Sequence, residues 1–475
     1  MTSLKKKTVS GLKWSAIERI ATQGIQLVVM LILGRMLGPE AFGLIGMLVI
    51  FIAIAQIFVD SGFGNALIRK QDRDEKDFST VFYCNIAVSI TCYLLIYFGA
   101  PYVSDFYNEP ELTSLLRILG INIIINAISL VQRTKLTIDM DFKKLTKSSL
   151  ISVFISTLVA FSFAFCGFGV WALIAQRLSS VFSNAILIQI LVPWRPKERF
   201  SKSSFDELFG FSSKLLLTSL IDTIYKNIYQ IIIGKLFSSA QVGFFTQAKT
   251  LSNTPAMTIT SIIQRVTYPM LSQMQNDTEK LDAAYLLTLR LSAAVIFPLM
   301  IGLALISEPL INVVLGQEWS ESVPLMIILC IGYMLYPIHA INLNLLQVKG
   351  RSDLLLKIEI VKKIIITLIL IITIRYGVKA ICIGMLAQSY ISLLINTYYT
   401  GKLSSLSLFK QVRSLAPIWL VCIAIGGFNY FLSLTLSNDV YKILVMLTSS
   451  LVLYILYIRI CQKDLYENLL NSIVK

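Results

Sequence analysis

Charge is scarce in this chain. Of 475 residues, 15% are charged and 56% hydrophobic, with a mean hydropathy of +0.73. A soluble globular domain carries roughly 25% charged residues, so too few charges are present to cover a water-facing surface. There is one histidine, His339, which excludes a metal site built on several imidazoles. The seven cysteines, at 84, 92, 166, 330, 382, 422 and 461, form no C-x-x-C pair and fall in or at the ends of apolar runs. They read as small core residues and not as disulfides or zinc ligands. A glycine-rich phosphate loop with its Lys-Ser/Thr is missing, which excludes an ATP-driven engine of that type. Short alternating segments are missing too, against a transmembrane β-barrel. No loop is long enough to be a catalytic domain; the longest are 132–147 and 194–212.

Long apolar runs are what the sequence has instead. Runs of about 18–24 residues recur from end to end, long enough to cross a hydrocarbon core of ~30 Å. The fold expected is an all-α polytopic membrane protein with about fourteen transmembrane helices. The spans read as 12–33, 41–64, 80–100, 113–132, 148–167, 169–192, 212–236, 243–268, 285–306, 322–345, 357–375, 378–400, 414–435 and 440–460. Lys5-Lys6-Lys7 precedes the first run as in a signal peptide. That run carries Glu18 and Arg19 without a small-residue cleavage site, and reads as an uncleaved helix.

The net charge of +15 raises nucleic acid as a partner, but the basic residues sit in short loops between spans. Alternate loops differ sharply. One side carries Lys70, Arg73 and Lys76, then Arg133, Lys135, Lys143 and Lys144, then Arg195, Lys197 and Arg199. The other carries the acidic loops 105–111 and 308–321. The positive-inside rule then puts both termini in the cytoplasm and leaves no role for nucleic acid.

An internal repeat organises the chain. Residues 33–45, LGRMLGPEAFGLI, match 233–245, IGKLFSSAQVGFF, at an offset of 200: Gly34 with Gly234, Arg35 with Lys235, Gly43 with Gly243. Upstream, Glu18, Thr22 and Gln26 recur every four residues, as do Thr218, Asp222, Lys226 and Gln230. Residues four apart share a helix face, so each helix carries one polar stripe, which at membrane depth faces a bundle interior or a cavity. The repeat predicts two six-helix lobes in pseudo-twofold arrangement, 1–200 and 201–402, with two further helices and a tail over 403–475.

These residues bring the chain to a known pattern. Gly34-Arg35-Met36-Leu37-Gly38-Pro39-Glu40-Ala41-Phe42-Gly43 resembles the first turn of polysaccharide flippases in the multidrug/oligosaccharidyl-lipid/polysaccharide export superfamily. Asp60-Ser61-Gly62-Phe63-Gly64-Asn65, Met140-Asp141-Phe142-Lys143-Lys144, Gly169-Val170-Trp171-Ala172-Leu173 and Arg265-Val266-Thr267-Tyr268-Pro269 resemble later elements of the same family. The similarity is nearest to exporters of O-antigen, colanic-acid or teichuronic-acid units. It departs at Phe237-Ser238-Ser239-Ala240, where a Leu-Gly-Pro-like run is expected.

The resemblance implies a transporter, not an enzyme, without cofactor or metal. It would move an undecaprenyl-pyrophosphate-linked oligosaccharide between membrane leaflets by alternating access, in the bacterial inner membrane and beside polymerase and chain-length machinery. A cation-coupled drug exporter or a peptidoglycan-precursor flippase of the same superfamily is the alternative. A membrane polymerase or glycosyltransferase would need an acidic cluster better placed than Asp72-Arg73-Asp74-Glu75.

A pyrophosphate in a low-dielectric cavity needs cationic partners. Arg19, Lys226, Lys249, Arg265 and Arg290 are the candidates at membrane depth, with Gln26 and Asn253 for the glycan. Each also has a plain structural reading. Asp222 and Lys226 are spaced to neutralise each other, and Arg19 and Arg290 are placed to snorkel. Glu18 and Asp222 are the candidates for coupling to H+ or Na+. The membrane potential acting on a cationic cavity is the other energy source.

Overall fold

The computed structural model describes residues 2–60 and 62–467. Among the described residues there is no strand; the chain is a succession of helices. Residues up to Gly243 form one compact unit and residues from Phe244 a second.

The first unit contains α1 (Thr2–Asp60), α2 (Phe63–Arg69), α3 (Glu75–Tyr107), α4 (Leu112–Ile138), α5 (Phe142–Phe165), α6 (Trp171–Leu191) and α7 (Lys202–Leu236). α8 (Ser239–Gln273) begins in the first unit and continues into the second. The second unit continues with α9 (Thr278–Leu305), α10 (Ser307–Val314), α11 (Ser322–Tyr333), α12 (Tyr336–Val348), α13 (Ser352–Thr373), α14 (Val378–Leu403), α15 (Leu408–Ser433) and α16 (Asp439–Cys461).

Among the described residues, ten helices are long and apolar enough to cross a membrane. The number fourteen is reached only by counting α1 as two spans and adding α7, α8 and α13. The charges of α13, Lys357, Glu359, Lys362 and Lys363 among them, keep it out of that group. Half-buried and exposed apolar side chains cover the spans, as expected of helices whose solvent is lipid.

The ten-residue turn read at 34–43 narrows to one residue. α1 is helical on both sides of Gly38, which alone leaves the helical region, at φ 73° and ψ 175°. That backbone region is essentially restricted to glycine. Pro39 follows as the first residue of the next helical segment, where its missing N–H costs nothing. The second span ends at Asp60, and α2 follows Gly62; Ser61, part of the motif at this point, lies outside the described residues.

Two stretches read as loops are mostly helix. In 132–147 the link is only Asp139–Asp141, with Met140 at φ 57°. In 194–212, α7 starts at Lys202 behind its cap Ser201. The sequence reading placed helix ends where apolar character ended. The helices instead run on through polar residues: Thr134 and Leu136 near the end of α4 are buried, and Asp141 and Ser201 cap the starts of α5 and α7.

The start of α7 is held in this way. Leu208 packs with Phe63, Ala66, Leu67, Val81 and Val131, and Phe205 and Trp194 lie against the same cluster. Beside it, Lys70 Nζ reaches Asp77 at 3.0 Å and Glu207 at 2.9 Å, tying the end of α2 to α3 and α7. The bond to Glu207 and the buried Asp77 raise the Lys70 pKa above its ordinary value. Asp77 also closes the capping box of α3: its carboxylate accepts from the Asp74 backbone N–H, and its own backbone N–H donates to the Asp74 carboxylate. The two anions are unequal: the Asp77 side chain is 1% exposed and that of Glu207 61%. Lys70→Met should therefore destabilise the protein by about 1.5–3 kcal/mol, the worth of a bond to a buried charge. Glu207→Gln should cost under about 1 kcal/mol. Thermal unfolding in detergent checks the ranking; equal losses would refute it.

Candidate functional site

The two repeat turns meet at their glycines. A Cβ added to Gly43 would overlap the Ser239 carbonyl and lie 3.1 Å from the Ser239 Cα. A Cβ on Gly243 would overlap the Pro39 carbonyl and lie 3.2 Å from the Pro39 Cα. Residue 43 thus touches 239, and 243 touches 39, with the offset of 200 relating both partners. A twofold contact has this reciprocal form. Gly234 is looser and meets side chains, with a Cβ there 2.8 Å from the Tyr107 ring and 3.1 Å from Met47. Gly43 and Gly243 let backbones approach closely, so the turns act as packing elements.

In the first unit the polar stripe of α1 is partly spent on structure. Ser149 of α5 donates to Glu18 at 2.6 Å, and the Thr22 hydroxyl donates to the Glu18 backbone carbonyl at 2.6 Å. Arg19 and Gln26 are exposed. On α7, which packs against α1, Asp222 is half-buried, Lys226 exposed and Gln230 buried.

A polar group that the sequence reading did not assemble lies among α1, α4 and α6. Gln56 donates to Asp60 at 2.9 Å and accepts from Asn126 at 3.2 Å. Arg133 donates to Asn184 at 2.9 Å and interacts electrostatically with Asp60 and Glu18. The Arg133 Nε is buried with no partner among the described residues. Arg133 was missed because it was counted with a cytoplasmic loop. Arg177, on α6, was passed over inside an apolar run; a guanidinium at that depth was the signal available.

In the second unit, Lys249 and Asn253 lie four residues apart on α8, so they share a face. Lys249 Nζ is 5.7 Å from the Phe245 ring centre, and Asn253 is half-buried. The hydroxyls around them are occupied as donors: Thr250 to Thr246 at 2.8 Å, Thr254 to Thr250 at 2.7 Å and Thr258 to Thr254 at 2.8 Å, each to a backbone carbonyl. For a glycan they keep only acceptor capacity. Arg265 is exposed. Arg290 donates to Gln462 at 2.7 Å, at the C-terminal cap of α16. That contact anchors α9 to the end of the chain's last long helix.

His339 of α12 bridges two residues of α14, Ser389 at 3.2 Å and Asn396 at 3.3 Å. Glu359 and Lys362 form an ion pair at 3.1 Å within α13. Deeper in this unit, the fully buried Tyr285 hydroxyl bonds to Asn342, to Gln411 at 3.1 Å and to Thr400 at 3.4 Å. It thereby joins α9, α12, α14 and α15.

The helices of both units thus carry cationic and hydrogen-bonding side chains, some engaged in packing contacts and some exposed. The family model described as polysaccharide biosynthesis protein matches residues 32–324. The chain is 30% identical over 359 residues to the teichuronic acid biosynthesis protein TuaB of Bacillus subtilis, covering 74% of each chain. It is 25% identical over 428 residues to the lipopolysaccharide biosynthesis protein WzxC of Escherichia coli, covering 88% of this chain and 85% of that one. Among solved structures, the lipid II flippase MurJ in an inward closed conformation superposes with a TM-score of 0.76 at 13% identity, over 95% of this chain and 100% of that one. A polytopic helical fold, a repeat closed by paired glycines and a family match over most of the chain lead to one conclusion: the chain belongs to the polysaccharide biosynthesis protein family.

Proposed function

We propose that the protein flips an undecaprenyl-pyrophosphate-linked oligosaccharide repeat unit from the cytoplasmic to the outer leaflet of the bacterial inner membrane, for surface polysaccharide synthesis. The observation that carries the reading is family membership along most of the chain, on a fold whose long apolar helices suit a multi-pass membrane protein. It is a transporter and not an enzyme. Both termini lie in the cytoplasm, and two six-helix lobes, 1–200 and 201–402, alternate access to the cargo while the helices of 403–475 are an addition. The membrane lipid is the solvent, and a polymerase with its chain-length machinery takes the product.

On this reading Arg19, Lys226, Lys249, Arg265 and Arg290 face the pyrophosphate over the transport cycle, Gln26 and Asn253 the glycan, and Glu18 and Asp222 the H+ or Na+ that drives the cycle. Arg290 already donates to Gln462, a bond it gives up to reach the cargo. Deleting the gene should leave the lipid-linked unit on the cytoplasmic leaflet and abolish surface polysaccharide. A leaflet-specific labelling assay reads this directly. If the unit still reaches the outer leaflet in a strain with no second flippase, the proposal is wrong.

A further inference from the structure

We propose that Arg177 holds the anionic diphosphate of the cargo; the inference rests on the flippase reading and adds to it a residue that reading did not name. Arg177 lies six residues into α6, about 9 Å from its start at 1.5 Å per residue, within a helix apolar and long enough to span. Its side chain is exposed, and among the described residues it has no hydrogen bond, ion pair or ring contact. A charge at that depth is costly unless it meets water, a counter-charge or a ligand.

The helix geometry says which way it faces. Asn184 is seven residues on, about two turns away and on the same face. That face is turned toward α4, because Asn184 accepts from Arg133. The exposed apolar residues of α6 lie elsewhere: Phe182, Ile186 and Ile190 are 56%, 41% and 69% exposed. At about 100° per residue they fall roughly 140–220° around the axis from Arg177. The lipid-facing stripe is thus opposite, and Arg177 is exposed on the interior side. It does not snorkel along the lipid face.

The neighbouring cation differs. Arg133 is compensated by Asp60 and Glu18 and donates to Asn184, whereas Arg177 carries a planar fork of donors with no carboxylate against it among the described residues. Such a fork matches phosphate oxygens two at a time. Phosphate chemistry at this place has two sources, the cargo's diphosphate and the headgroup of an anionic phospholipid. The geometry favours the cargo, because the lipid-facing side of α6 is the other one.

Purified full-length protein in nanodiscs tests this with undecaprenyl diphosphate, undecaprenyl monophosphate and phosphatidylglycerol as probes. Wild type should prefer the diphosphate. Arg177→Ala should weaken that binding roughly ten- to hundredfold, Arg177→Lys should recover part of it, and phosphatidylglycerol binding should be unchanged in both. Equal weakening for phosphatidylglycerol would assign Arg177 to bulk lipid and overturn the inference. If wild type prefers the diphosphate and Arg177→Ala keeps that preference, the inference falls alone. If wild type shows no preference, the flippase reading falls with it. Arg177→Lys, which keeps charge and length, guards against a folding defect, and both variants should melt as wild type does.

Discussion

A Gly43→Ala protein should reach the membrane and lose export by about five- to 150-fold. The added methyl has no space, because its position coincides with the Ser239 carbonyl. Both sides of the contact are backbone, so no side chain can rotate away. The two turns must separate by about 2 Å to restore an ordinary carbon–oxygen distance. Overpacking of this kind costs about 1–3 kcal/mol. If the cycle requires the turns to close and part, that cost shifts the balance of states by a factor in the range given. Gly243→Ala should do the same from the other side, against Pro39. The double variant should lose little more than either single one, since the first methyl already separates the turns. Gly99→Ala, with nothing within 4 Å of its Cβ, should export normally. Surface polysaccharide in the deletion strain, at matched membrane levels of each variant, is the measurement. Normal export by Gly43→Ala would mean that the contact is incidental to the cycle.

The second large effect is on stability. Tyr285→Ala should cost about 3–5 kcal/mol, in the range for removing a large buried aromatic side chain. Tyr285 is fully buried at the junction of four helices, and its hydroxyl serves Asn342, Gln411 and Thr400. Tyr285→Phe separates the two contributions. It keeps the ring and should cost about 1–3 kcal/mol, the penalty for leaving buried polar partners unsatisfied. Pairing it with Gln411→Leu should cost less than the sum of the two single changes, because the second removes a group the first orphaned. Equilibrium unfolding in mixed micelles gives the values. A Tyr285→Phe protein as stable as wild type would show that water or a shifted Asn342 replaces the hydroxyl.

The threonines of α8 show how a plain sequence pattern can mislead about chemistry. The spacing of Thr246, Thr250, Thr254 and Thr258 is plain in the sequence, and one face of a helix follows from it. The hydroxyl protons of Thr250, Thr254 and Thr258 nevertheless all go to the carbonyl one turn back. A threonine in a helix has that option locally, whatever the cargo. Arg290 is a similar case. Its depth was legible, but its bond to Gln462 joins residues 172 apart and leaves no trace in spacing.

By itself the sequence determined the class of this protein and most of its helices. Apolar runs long enough to cross lipid can be satisfied only by helices that bond their own backbones, so composition and length suffice. It also determined the repeat, because glycines at 34, 43, 234 and 243 hold their offset however the chain packs. The tertiary structure decided which polar residues are available. Whether a guanidinium is compensated, as at Arg133, or stands without a partner among the described residues, as at Arg177, depends on which helix faces which. That is set by packing between segments far apart in the chain, through contacts that no local pattern encodes. The same holds for the glycines: their spacing announced a turn, and only the fold put the carbonyls of Ser239 and Pro39 where a single methyl would collide with them.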